Sequence, residues 1–405
     1  MRTLYAAGTL LVALGTTMAV TTAVASANET VSDYIVVLDD TADPAAAARA
    51  ARAGGAEVGH VYSHAVRGYS AQLSASAATR LAHAEGVRFV QPDGVATTTA
   101  QSLPTGIDRA DAELSPTAMI NGADERVDVD VAIIDTGIDL DHPDLNVHAA
   151  GAKNCSTGRT ADDGNGHGSH VAGTVGALDN ADGVVGVAPG ARVWPVRVLS
   201  NSGSGSWSDV ICGVDYVTAN ADQIEVANMS LGGSGSDDGN CGNSNNDALH
   251  TAICNSVAAG VTYAVAAGNA SDDSANHVPA AYDEVITVSA LADFDGRTGG
   301  LGSPTCRTDS DDTLADFSNF GADVDIIAPG VCVNSTWKGG GYNTISGTSM
   351  ASPHVAGGAA LYLATHPGAS PGTVKSALQS AGGTDWDNSD DGDGTKERLL
   401  NVATF

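Results

Sequence analysis

The sequence predicts an α/β protein: a three-layer αβα core built on a mostly parallel sheet, preceded by a small ferredoxin-like α/β unit. Two observations point to the core. From Val127 onward, apolar β-rich runs alternate with Ala-rich helical runs. Those apolar runs are also nearly unbroken, as strands covered on both faces must be. The small unit follows from residues 28–99, which read in the order β-α-β-β-α-β.

In the small unit "YIVVLDD" (34–40) is a strand and "PAAAARAARAGG" (44–55) a helix stopped by two glycines. "VYSHAVRGYSAQL" (61–73) is strand material, "SAATRLAHAEG" (76–86) a second helix and "VRFVQPD" (87–93) the last strand. "GVATTTAQSLPTG" (94–106) is small and polar, and reads as an exposed linker. The core strands are "VDVAIID" (129–135), "RVWPVRVL" (192–199), "EVANMSL" (225–231), "VTYAVAAGN" (261–269), "EVITVSAL" (284–291) and "VDIIAPG" (324–330). Functional groups of such sheets gather at the carboxyl ends of the strands.

Composition limits what the chain does. Arg2, an apolar run from Leu4 to Val24 interrupted at Gly15-Thr16-Thr17, and then Ala25-Ser26-Ala27 make residues 1–27 a signal peptide. The interruptions leave no run long enough to cross a bilayer, so a secreted, extracellular protein is expected. The net charge is −30, of which only −2 falls in residues 1–99. Such a surface repels nucleic acid and anionic membranes, and most of it reads as a solvated acidic coat. Six cysteines, all beyond residue 100, suggest three disulfides among fifteen pairings. Proximity along the chain favours Cys241 with Cys254 and Cys306 with Cys332, and no C-x-x-C spacing points to zinc.

Three residues carry the chemistry. Asp135 ends a buried strand, where a carboxylate is costly unless paired. His167 opens a helix in the glycine-rich "GNGHGSHVAGTVGAL" (164–178). A helix N-terminus disfavours imidazolium, which suits a histidine that starts neutral and accepts a proton. Ser349 heads another helix, running to about His366, with Pro353 expected in its first turn. Singly these are a turn cap, a core histidine and an N-cap. Together they arrive in the order Asp, His, Ser, one of the chain orders of the serine-hydrolase triad. An α/β-hydrolase would instead need G-x-S-x-G and a histidine last.

"AIIDTGIDLDHPDL" (132–145), "GHGSHVAGTVGAL" (166–178) and "SGTSMASPHVAGGAALYL" (346–363) resemble the three active-site motifs of the subtilisin-like serine proteases, over about residues 100–380. The resemblance implies Asp135 as orienting carboxylate, His167 as general base and Ser349 as nucleophile. Ser169 departs from the family's usual threonine but keeps a hydroxyl. "VAAGN" (265–269) is similar to the oxyanion segment, which implies Asn269 as donor beside the Ser349 N–H. Asn228 and Asn269 also open glycosylation sequons, discounted because both positions are expected to be buried.

Substrate is expected as an added strand between two edges. The resemblance places these at "SNSGSGSW" (200–207), with Gly203, Ser204, Gly205 and Trp207, and at "SLGG" (230–233), with Ser230, Leu231 and Gly232. Ala266, Ala267 and Gly268 would complete the walls of a roomy apolar pocket of broad specificity. "ALDNADGVVGVAP" (177–189) resembles the family's calcium loop, which implies structural Ca2+ held by Gln101, Asp144, Leu178, Asn180, Asp182 and Val184. Two further acidic loops, "DFDG" (293–296) and "DNSDDGDG" (387–394), read as solvated turns. The second has EF-hand-like offsets at Asp387, Ser389 and Asp391, but Arg398 at its twelfth position excludes a complete EF-hand.

Residues 28–99 resemble the family's inhibitory propeptide, which assists folding and acts as an intramolecular inhibitor. Self-cleavage is expected after Thr99, with Ala100 the neighbouring alternative, leaving a peptidase domain of 100–405. The whole reads as a secreted, monomeric, calcium-supported serine endopeptidase acting on proteins and peptides. The rivals are a narrow processing protease and a protease-shaped binding protein without activity.

Overall fold

The computed structural model describes residues 31–94 and 100–405. The expected signal peptide and the segment 95–99 that ends at the expected cleavage point lie outside the described residues. The chain divides after Thr98 into two compact units.

In the first unit the strands Val31–Leu38, Glu57–Tyr62, Gly68–Ser74 and Val87–Pro92 alternate with the helices Pro44–Ala53 and Ala75–Leu81 in the β-α-β-β-α-β order. The strands pair antiparallel, with the second and third side by side and the first between the third and the fourth. Asp43 caps the first helix by accepting from Ala45 N and Ala46 N, with Pro44 at the first helical position, where a missing N–H costs nothing. The stretch 61–73, expected as strand material, is a hairpin whose first arm starts earlier, at Glu57.

The second unit is a nine-stranded, mostly parallel sheet. Its main path runs Arg398–Leu399, Ile326–Pro329, Ile286–Ala292, Thr262–Ala266, Val226–Met229, Asp130–Asp135, Arg192–Arg197 and Lys153–Asn154. The six runs read as core strands all lie within it. Side chains along a strand alternate between faces, so one continuous apolar run supplies two cores. Val131 and Ile133 pack into the cluster beneath the helices His167–Gly176, Thr348–Thr365 and Pro371–Ala381. Ala132 and Ile134 pack into the cluster beneath Trp207–Ala219 and Ala248–Ala258. The three layers follow from that alternation. Disulfides join Cys241 to Cys254 and Cys306 to Cys332, as chain proximity suggests, and Cys155 to Cys212.

Pro353 lies inside the Thr348–Thr365 helix rather than in its first turn. A proline there leaves the carbonyl four residues earlier without its helical partner. That carbonyl belongs to Ser349, and it accepts instead from Ser230 Oγ at 2.7 Å. The helix therefore tolerates Pro353 while tying the segment that carries Ser349 to the Ser230 segment.

Ile133 has no solvent exposure at the centre of the sheet. Ile133→Ala should lower stability by about 2–5 kcal/mol, read as a fall in the urea midpoint at unchanged slope.

Candidate active site

The carboxyl end of the Asp130–Asp135 strand meets the N-terminus of the His167–Gly176 helix. Asp135 is wholly buried. Its Oδ1 accepts from Thr136 N at 2.6 Å and lies 2.8 Å from His167 Nδ1. Gly168 makes this approach possible: a Cβ there would stand 2.1 Å from Gly137 O and 3.2 Å from Asp135 Cβ. Gly166, before the histidine, has φ +112, and a Cβ on it would meet the Trp337 ring at 2.3 Å, so this turn requires glycine on both counts.

Burial works against a charge on His167, but the Asp135 carboxylate beside it and Asp163 further off outweigh burial and hold the imidazole above its ordinary value. A helix N-terminus alone suggests the opposite direction. Proximity decides, because a carboxylate in hydrogen-bond contact outweighs a partial helix charge.

Asp163 straps the two elements together. Its Oδ1 accepts from Thr136 Oγ1 at 2.9 Å, Asn165 N at 2.9 Å and Gly166 N at 2.8 Å. Its Oδ2 accepts from Ser169 N at 2.9 Å and Ser169 Oγ at 2.7 Å. The hydroxyl at position 169 is therefore used. Sequence reasoning passed over both Thr136 and Asp163; the signal available was a polar residue directly after Asp135 and an acid just before the glycine-rich turn.

His167 and Ser349 line one cleft of about 750 Å³ together with Gly203, Ser204, Gly205, Trp207, Ser230, Leu231 and Gly232. Thr136, Asn165, Leu199, Ser206 and Val210, not singled out from the sequence, also line it. Ser349 Oγ donates to Ser230 O at 3.4 Å, and among the described residues no hydrogen bond joins it to His167. Trp207 begins a helix capped by a reciprocal Ser206–Asp209 box, and its half-exposed ring reaches to Gly233, where a Cβ would stand 2.8 Å from it. Ala266, Ala267 and Gly268 are not among the cleft-lining residues; the two alanines are buried.

Asn269 is exposed, which removes burial as a reason to discount its sequon; Asn228 is wholly buried. The Asn269 Oδ1 is held by Thr348 N at 2.8 Å and Thr348 Oγ1 at 3.0 Å. With its oxygen so anchored, the amide keeps its N–H groups for another acceptor. Asn319 steadies the loop, accepting from Ala270 N at 2.9 Å and donating to Ala267 O at 2.9 Å.

Six residues read as calcium ligands lie together. Gln101 Oε1 accepts from Asn180 N at 3.0 Å, and Gln101 Nε2 donates to Leu178 O at 3.3 Å. Asp144 accepts from Asn180 Nδ2 at 2.8 Å and Val184 N at 3.1 Å, and Asn180 Oδ1 accepts from Asp182 N at 2.7 Å. Burial pushes the Asp144 carboxyl up from its ordinary range against these donors. The oxygen-only donor set, with one buried carboxylate, fits a hard cation.

Of the two acidic loops, 387–394 is exposed or half-exposed throughout, as a solvated turn is, while 293–296 differs from that expectation. Asp293 of "DFDG" is buried, and burial pushes it up to about 7 despite the Gly296 N–H and Arg109. Acidic groups close enough to hold an ion occur at Asp293, Asp295 and Asp311 and at Asp391, Asp393 and Glu397.

Residues 127–398 match the Subtilase family, and residues 33–99 match Peptidase inhibitor I9. The chain belongs to the subtilase family. Subtilisin DY of Bacillus licheniformis is 42% identical over 69% of this chain and 92% of its own. Subtilisin E of Bacillus subtilis (strain 168) is 38% identical over 78% of this chain and 75% of its own. The extracellular serine proteinase of Thermus sp. (strain Rt41A) is 40% identical over 80% and 73% respectively. Among solved structures, a cold adapted subtilisin-like serine proteinase aligns with a TM-score of 0.58 at 35% identity, covering 74% of this chain and 97% of that one. The protein is thus a subtilisin-type serine endopeptidase with an I9 propeptide, and its disulfides are those described above. Among the described residues no helix is long and apolar enough to cross a membrane.

A proton titration of His167 by NMR should give a midpoint above the ordinary value near 6.5. Asp135→Asn should bring that midpoint down, because it removes the neighbouring charge that raises it.

Proposed function

We propose that this subtilase cleaves proteins and peptides through Asp135, His167 and Ser349. The reading rests on one observation: an imidazole hydrogen-bonded at 2.8 Å to a wholly buried carboxylate lines the same cleft as Ser349. Ser349 Oγ attacks the peptide carbonyl, and His167 Nε2 takes its proton and returns it to the leaving amine. Asp135 holds the ring so that Nδ1 carries the other proton and Nε2 stays free to accept. An acyl-enzyme forms on Ser349, and water activated by His167 releases it. The tetrahedral oxygen accepts from Asn269 Nδ2 and from Ser349 N at the helix start.

Substrate backbone lies between the 203–205 and 230–232 segments, where glycines let another chain come close. The small residues along this cleft favour broad specificity. Gln101, Asp144, Leu178, Asn180, Asp182 and Val184 would hold one Ca2+, which supplies cohesion between the 101 segment and the 178–184 loop, and no chemistry. We further infer secretion after loss of residues 1–27, self-cleavage after Thr99, and a monomeric mature enzyme of residues 100–405 with no nucleic-acid or membrane partner. Three disulfides and the extracellular relative support export.

Ser349→Ala should leave a full-length precursor on a denaturing gel and lower kcat by about a millionfold; normal processing in that variant would sink the self-cleavage reading. Asn269→Ala should lower kcat by about 100- to 1000-fold with KM little changed, measured on a chromogenic peptide.

A further inference from the structure

We propose that Asp391, Asp393 and Glu397 bind one hard divalent cation, calcium, that fastens the C-terminal strand to the sheet. Chain offsets alone group Asp387, Ser389 and Asp391; the folded loop brings together a different trio, whose carboxylate oxygens lie within 4.8 Å of one another. Oxygens sharing a calcium ion at about 2.3–2.6 Å lie no more than about 5 Å apart, so the spacing suits a single ion.

The side chain that points to a ligand is Glu397. It is 7% exposed, and its Oε2 is buried with no hydrogen-bond partner among the described residues. Asp391 Oδ2 is buried and unpartnered in the same way. A buried carboxylate is kept only where something answers its charge. Among the described residues no arginine or lysine forms a salt bridge to any of the three. The neighbouring Lys396 is turned away over the Trp386 ring, 5.6 Å from its centroid. Local donors use one oxygen of each aspartate: Asp391 Oδ1 accepts from Asp393 N at 3.4 Å, and Asp393 Oδ1 from Thr395 N at 2.7 Å. The second oxygens are left for an ion. The trio has no sulfur or nitrogen donor, which favours calcium over zinc.

The consequence is mechanical. Trp386 Nε1 donates to Glu397 O at 3.0 Å, and Trp386 packs with Leu291, Leu314, Ile327 and Leu399. The next residues, Arg398–Leu399, pair in parallel with Ile326–Pro329 as the last strand of the sheet. An ion on Glu397 would therefore hold the acidic loop, this small core and the sheet edge in one piece, and stabilise the fold by binding it and not the unfolded chain. The trio shares no residue with the 101/144/178–184 cluster.

The test uses the full chain blocked with a serine-reactive phosphonate to prevent autolysis. By equilibrium dialysis against calcium, the Asp391→Asn/Glu397→Gln variant should bind one ion fewer per chain than the wild type. In chelator its Tm should equal or exceed that of the wild type, because two buried carboxyl oxygens without partners are gone. In calcium the order should reverse. A purely structural role for these carboxylates would lower the Tm of the variant in both media. Should the double variant not fold, Asp393→Asn changes an exposed side chain and should weaken calcium binding while leaving Tm in chelator unaltered. Equal ion counts, or the same calcium-dependent rise in Tm in variant and wild type, overturn the proposal.

Discussion

A carboxylate without solvent exposure stands at the end of a central strand, and the surrounding structure answers it. Asp135 would be strongly disfavoured as an anion there without partners. Thr136 N–H and the His167 ring both meet its Oδ1, while its buried Oδ2 has no hydrogen-bond partner among the described residues. Holding the ring at that distance requires the His167–Gly176 helix to approach the strand end closely. Glycines at 166 and 168 and the five donors gathered by Asp163 meet that requirement. One buried charge thus sets the positions of two secondary elements.

The second constraint lies on the far side of the cleft. The helix bearing Ser349 carries a proline where its own carbonyl ladder needs an N–H, and Ser230 fills the gap. The same exchange ties the Ser349 segment to the 230–232 edge of the cleft. Thr348 in turn orients Asn269 by its oxygen. Backbone polar groups that a regular helix would have satisfied internally are used here to fix the geometry between segments far apart in sequence.

The acidic residues of this chain are of two physical kinds. Many form a solvated coat, which composition alone suggests. Others are internal: Asp163, Asp293, Asp312 and Glu397 are buried. Arg109 answers two of these acids at once, 3.0 Å from both Asp293 and Asp312. Counting charges cannot separate the two kinds, because burial is a property of where a residue lands and not of its type.

The alternation of apolar runs with helical runs was enough to read the parallel sheet, because a strand buried on both faces has no polar positions to hide it. The order of the small N-terminal unit was legible for the same kind of reason, and the three motif residues stood out as polar groups at strand and helix ends. Strand limits, the early start at Glu57 and the place of Pro353 within its helix were less legible, since these depend on pairing partners. What remained for the tertiary structure to decide was every quantity set by proximity across the chain. The imidazole is held above its ordinary value because Asp135 touches it, against what its helix position suggests. Asp163 is a strap because Thr136 and Ser169 lie within its reach, and Glu397 faces no cation because Lys396 turns toward Trp386. Local sequence determines which groups are present and which element carries them; only the fold determines which of them meet.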